Sequence, residues 1–125
     1  MAALNYLLDT TVLIDASNGI SPAEDFLVKH HLACAISPVT RAELLAGAEE
    51  ERVAAFSEWL SAFQYLPLDE PCADLAAKFR REHKWKLPDA FQAAMAIRHN
   101  LRLVTRNTRD FPPTKHSFVV VPYRI

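Results

Sequence analysis

Five short apolar runs divide this chain, and helix-start signals stand between them. Asn5 to Leu8 (NYLL) closes at Asp9, Leu32 to Ile36 reads LACAI, and Tyr65 to Leu68, Leu101 to Thr105 and Phe118 to Val121 complete the set. Each run predicts a strand, the first two of them buried, and Val12-Leu13-Ile14 just after the first predicts a turn into a helix. Ser21-Pro22-Ala23-Glu24 predicts another helix start, with Ser21 as N-cap, Pro22 at the first helical position and Glu24 closing a capping box. That helix should run to about His31. Ser37-Pro38 repeats the signal and opens a helix through Glu43 and Leu45. Between Glu49 and Phe63, the residues Val53, Phe56, Leu60 and Phe63 recur at helical spacing. Asp69-Glu70-Pro71 caps a further helix carrying Leu75 and Phe79, and Lys86-Leu87-Pro88-Asp89 opens an alanine-rich one through Ile97. Parallel neighbours need a crossover, so this alternation predicts an α/β fold, a mainly parallel five-stranded sheet with helices on both faces.

With 125 residues there is room for one domain, spanning 1–125. Only Gly19 and Gly47 are glycines, which excludes a Walker A loop and a dinucleotide fingerprint, since both need clustered glycines against phosphate. Cys34 and Cys72 stand apart with no C-x-x-C pair, as expected of buried, reduced thiols in a cytoplasmic protein. The five histidines show no zinc-ligand spacing. No apolar stretch is long enough to cross a membrane, and MAALNYLLDTT lacks the basic leader of a secretory signal.

The net charge of −1 hides an asymmetry. Residues 1–77 carry three basic and twelve acidic side chains, whereas residues 78–109 carry nine basic and two acidic. A basic stretch of this kind suits a polyanion, although solvated helix faces produce the same pattern.

Asp9 ends the first predicted strand, Asn107 and Asp110 follow the fourth, Glu43 lies in the helix after the second, and Asp89 sits in a first helical turn. A parallel sheet gathers such positions at one rim, where ligands bind in open α/β folds. Carboxylates grouped without His or Cys repel one another unless they hold Mg²⁺ or Mn²⁺, which prefer oxygen ligands. Each acid also has a structural reading. Asp9 suits a helix cap, Glu43 a capping box with Thr40, Asp89 the helix dipole, and Asn107 and Asp110 a polar turn. Asp15 reads as a solvated helix residue.

The set LLDTTVLID (7–15), ISPVTRAELLAGA (36–48), LPDAFQAAMAI (87–97) and LVTRNTRDF (103–111) resembles the PIN-domain ribonucleases, in particular the VapC-type toxins of bacterial toxin–antitoxin pairs. The likeness spans nearly the whole chain and implies a single PIN-like domain. It carries metal-binding acids onto Asp9, Glu43 and Asp89, and a fourth site position onto Asn107, with Asp110 nearby. The family often has Asn or Ser where Thr11 stands, and Asp where Asn107 stands. The implied activity is Mg²⁺- or Mn²⁺-dependent hydrolysis of RNA phosphodiesters. Asp9 and Asp89 are then direct ligands, Glu43 binds through water or orients the nucleophile, and Asn107 and Asp110 place water. Arg80, Arg81, Arg106 and Arg109 are candidates for RNA phosphate contacts. The resemblance further implies a homodimer and a cognate antitoxin protein whose C-terminal segment blocks the groove.

Two other readings fit parts of the pattern. A haloacid-dehalogenase-like phosphatase also places an aspartate after its first strand, but Thr11 stands where its second aspartate belongs. A non-catalytic domain that binds RNA or protein would not need the carboxylates.

Overall fold

The computed structural model describes residues 3–125. Its strands are β1 (Tyr6–Leu8), β2 (Cys34–Ile36), β3 (Gln64–Tyr65), β4 (Arg102–Val104) and β5 (Val119–Val120). They form one sheet in the order β3-β2-β1-β4-β5, with every neighbouring pair parallel. Helices fill the crossovers: α1 (Thr10–Ser17), α2 (Ser21–His30), α3 (Pro38–Gly47), α4 (Val53–Leu60), α5 (Glu70–His83) and α6 (Leu87–Arg98).

Successive strand residues point to opposite faces, so adjacent leucines of β1 seed separate cores. Leu7, with Ala35 and Leu103, packs under α5 and α6, where Cys72, Ala76, Ala90, Ala93 and Ala94 are buried. The alanines let α5 and α6 approach closely. Leu8, with Ile36 and Val104, meets Val12 and Leu13 of α1, Leu27 of α2, Leu44 of α3 and Leu60 of α4. The expected arrangement of helices on both faces is therefore built from one-residue alternation in strands only two or three residues long.

Two predicted caps form as read. Ser37 accepts from Thr40 N at 3.2 Å to start α3, and Asp69 accepts from Cys72 N at 2.9 Å to start α5. Ser21 does not cap α2. It is the first helical residue, Ile20 is the N-cap, and no side chain closes a box. Ile20 supplies its carbonyl to Ala23 N and Glu24 N after Gly19 turns the chain at φ +78°, so backbone geometry begins this helix. Leu32 lies in a short 3-10 turn (His31–Ala33) and is 69% exposed, which delays β2 to Cys34. β3 begins at Gln64 and ends at Tyr65: Leu66 N still reaches Ile36 O at 3.0 Å, but Pro67 has no N–H to extend the ladder. The helix expected from Glu49 is split into a 3-10 turn (Glu50–Arg52) and α4. Both cysteines are free and buried, and burial pushes the Cys34 thiol up to about 12, leaving it protonated and inert.

Candidate active site

Asp9 is the first residue past β1, at the rim where the parallel strands end. Its backbone occupies the N-cap position of α1, yet its side chain makes no capping bond. The carboxylate instead meets the end of β4. Thr105 Oγ1 donates to Oδ2 at 2.7 Å, Thr11 Oγ1 donates to the same oxygen at 3.2 Å, and Gln92 Nε2 approaches Oδ1 at 3.4 Å. Asp9 is 5% exposed, and a carboxylate so enclosed needs donors of this kind.

The two threonines also fix the loop after β4. Thr11 Oγ1 accepts from Arg106 N at 3.2 Å, and Thr105 Oγ1 accepts from Asn107 N at 2.9 Å. Asn107 and Asp110 bind each other across a tight turn. Asn107 Nδ2 donates to Asp110 Oδ2 at 2.9 Å, and Asp110 N donates to Asn107 Oδ1 at 3.2 Å.

Glu43 lies nearly two turns beyond the Ser37 cap of α3, where Thr10 Oγ1 donates to its Oε1 at 2.7 Å. Asp89, half-buried in the first turn of α6, senses the whole group. Burial, followed by the charges of Asp9, Asp110 and Glu43, pushes its carboxyl up from 3.8 to about 6, against a smaller pull from Lys86. Acids from four separated stretches of chain thus share one electrostatic neighbourhood.

Gln92 is the polar residue that sequence reading passed over. Fully buried on α6, it accepts from Ser37 Oγ at 2.6 Å and donates to Thr40 Oγ1 at 2.6 Å. Thr40 Oγ1 in turn donates to Leu8 O at 3.2 Å. A lone amide inside the apolar stretch AFQAAMA was the available signal. The network locks α3 and α6 to the end of β1, and among the described residues no buried side-chain nitrogen or oxygen lacks a partner.

The arginines divide. Arg106 is engaged within the protein: its Nε and Nη2 grip both oxygens of Asp15, and Tyr123 OH donates to Asp15 Oδ2 at 2.7 Å. Asp15 is consequently not a solvated helix residue. Its side chain is 8% exposed, and the Arg106 guanidinium holds its carboxyl below the usual range. Arg80 is turned back onto the carbonyl of Trp85. Arg81 and Arg109 are exposed, with no ion pair among the described residues.

Among the described residues, no group of three His, Cys, Asp or Glu side chains is preset to hold a metal ion. Hard divalent cations do not require one. Mg²⁺ keeps several waters and is held by one or two carboxylates, and the donors around Asp9 and Asp89 are oxygen with neither thiolate nor imidazole. Beyond the effect of burial, the repulsion that adds to the lifting of Asp89 is what such a cation would relieve, so the residues present fit it. The largest cavity described, about 560 Å³, lies elsewhere, between α1, α2 and α4.

The PIN domain family model matches residues 6–115. The chain belongs to the PIN-domain family. Ribonuclease VapC19 of Mycobacterium tuberculosis is 33% identical over 114 residues, covering 85% of this chain and 91% of that protein. A toxin–antitoxin complex from Klebsiella pneumoniae contains a chain that superposes with a TM-score of 0.88 at 36% identity, over 99% of this PIN domain and 100% of its own length. DNA-bound VapBC from Salmonella typhimurium contains another, at a TM-score of 0.76 and 27% identity, over 86% of this chain and 90% of that one. The parallel sheet with helices on both faces is the PIN fold. No helix among the described residues is long and apolar enough to cross a membrane.

Proposed function

We propose that this PIN domain is a divalent-metal-dependent endoribonuclease and the toxin of a type II toxin–antitoxin pair. The carrying observation is the shared field of the acids: Asp89 is lifted to about 6 by burial and by Asp9, Asp110 and Glu43. The similarity to a protein named a ribonuclease and to chains in toxin–antitoxin complexes supports the same reading. Against the phosphatase reading stands Thr11, which donates a hydrogen bond to Asp9 where a second carboxylate would be needed.

In this mechanism Asp9 and Asp89 would hold the cation, Mg²⁺ or Mn²⁺. When bound, it supplies a more acidic water and charge neutralisation at the phosphoryl oxygens. Thr105 and Thr11 keep the Asp9 carboxylate in one orientation, so little reorganisation is needed as charge builds. Glu43, steadied by Thr10, orients the attacking water and accepts its proton as the water oxygen bonds to phosphorus; the P–O bond to the departing ribose oxygen breaks, and that oxygen takes a proton from solvent. Asn107 and Asp110, bonded to each other beside Asp89, place solvent through their remaining polar atoms. The partners of this reading are RNA, a cognate antitoxin protein and a second copy of the chain, and its setting is the cytoplasm.

The test is cleavage of a single-stranded RNA by the purified chain. Activity should require Mg²⁺ or Mn²⁺, vanish in EDTA, and be absent from Asp9→Asn with its circular dichroism unchanged. Full activity in folded Asp9→Asn, or in EDTA, refutes the proposal.

A further inference from the structure

A second group of charged residues lies beside the acids and has no role in the scheme above. Helix α5 ends at His83, and Lys84 takes the left-handed conformation (φ 62°, ψ 20°) as its C-cap, a position usually given to Gly. The chain then turns Trp85 inward. Its ring is buried against Phe111, centroids 4.8 Å apart, and its Nε1 donates to Asp110 O at 2.9 Å. His83 stacks on it at 4.3 Å and 20°, and His116 meets it edge-on at 5.3 Å. Around this pillar is a cleft of about 240 Å³, with Lys84, Arg109 and Lys115 on its walls.

Lys84, Arg109 and Lys115 are exposed and have no ion-pair partner among the described residues. The one carboxylate on the wall, Asp110, is already bonded by Asn107. Three like charges left together repel, and an anion relieves that repulsion. The imidazoles add a different chemistry. Burial, with help from His83 and Lys115, pulls the His116 pKa down, so this ring is neutral and offers a stacking face. Cations grouped with stackable rings suit a nucleotide, since proteins hold single-stranded RNA through phosphate contacts and base stacking. An acidic peptide would gain from the cations only.

The location joins the two sites. Asp110 bonds Trp85 through its carbonyl, while its side chain is near enough to raise Asp89. We propose that this cleft is the subsite for the nucleotide next to the scissile bond, with Lys84, Arg109 and Lys115 on its phosphates and His83 and His116 against its base. The inference rests on the ribonuclease reading and names where the strand continues.

The experiment measures binding of a single-stranded oligoribonucleotide in EDTA, so that nothing is cut, across a series of salt concentrations. The unsubstituted chain is compared with Arg109→Ala/Lys115→Ala, with His83→Ala, and with Arg102→Ala at the opposite rim. Each phosphate contact on a single strand contributes about 0.7 to the salt slope, so the double variant should lose about 1.4. His83→Ala should bind roughly five-fold or more weakly with the slope kept. Arg102→Ala should match the wild type. An unchanged slope in the folded double variant overturns the subsite, whether the cleft is then merely solvated or serves an acidic protein segment. Cleavage in Mn²⁺ is read in parallel. Wild type that cuts no RNA counts against the ribonuclease reading, while the slope comparison still decides the cleft.

Discussion

Replacing Asp89 by Asn should make the metal-free protein more stable at neutral pH, although the residue belongs to the proposed site. The folded chain raises this carboxyl from 3.8 to about 6. Between those values the native state holds a proton that the unfolded chain has released, so stability falls as pH rises through that window and stays low above it. Two pKa units correspond to at most about 3 kcal/mol. The group is only half-buried, and solvent screening reduces the figure to about 1–2 kcal/mol. Asn carries no charge at any pH, so it escapes this cost. For a chain of this length the gain corresponds to a rise in Tm of roughly 4–8 °C. Thermal unfolding in EDTA at pH 7.5 should show it, and the difference should close by about pH 3, below the carboxyl pKa of both the folded and the unfolded chain. A variant less stable than wild type at pH 7.5, or a gain of equal size at both pH values, would refute the electrostatic reasoning.

Two other substitutions probe the supports of the site. Gln92→Leu strands Ser37 and Thr40 inside the protein and should lower the urea unfolding free energy by about 1–3 kcal/mol. Arg106→Ala leaves the Asp15 carboxylate enclosed with only Tyr123 as partner. Because Arg106 is itself 35% exposed, the loss should fall at or below the low end for buried pairs, about 2–3 kcal/mol. Arg106 holds the Asp15 pKa down, so the ion pair stabilises the fold above the ordinary carboxylate range and ceases to do so in acid. The gap between variant and wild type in urea titrations should therefore narrow as pH falls.

What the sequence made legible was governed by neighbours in the chain. Ser37 and Asp69 cap because the bond each makes is to an N–H three residues away. The parallel sheet followed from apolar runs separated by helices, and the rim position of Asp9 followed from its place after β1. Features decided at long range were not legible. Asp15 looked solvated because its partners, Arg106 and Tyr123, lie 91 and 108 residues away. Gln92 was lost among alanines because its meaning depends on Ser37 and Thr40 from another helix. Ser21 carried a valid local signal, yet Gly19 and Ile20 had already set the helix start. The basic segment was visible as composition, but only the fold separates Arg106, held by Asp15, from Arg109, which lines an open cleft.

The account depends on Asp9 and Asp89 acting as one cation site. Titration of the purified protein with Mn²⁺, followed by water proton relaxation, tests this without any RNA. Wild type should bind the ion, Asp9→Asn and Asp89→Asn should each lose that binding, and Asp74→Asn, on the exposed surface of α5, should retain it. Equal binding by all four proteins would contradict the account, as would no binding by the wild type.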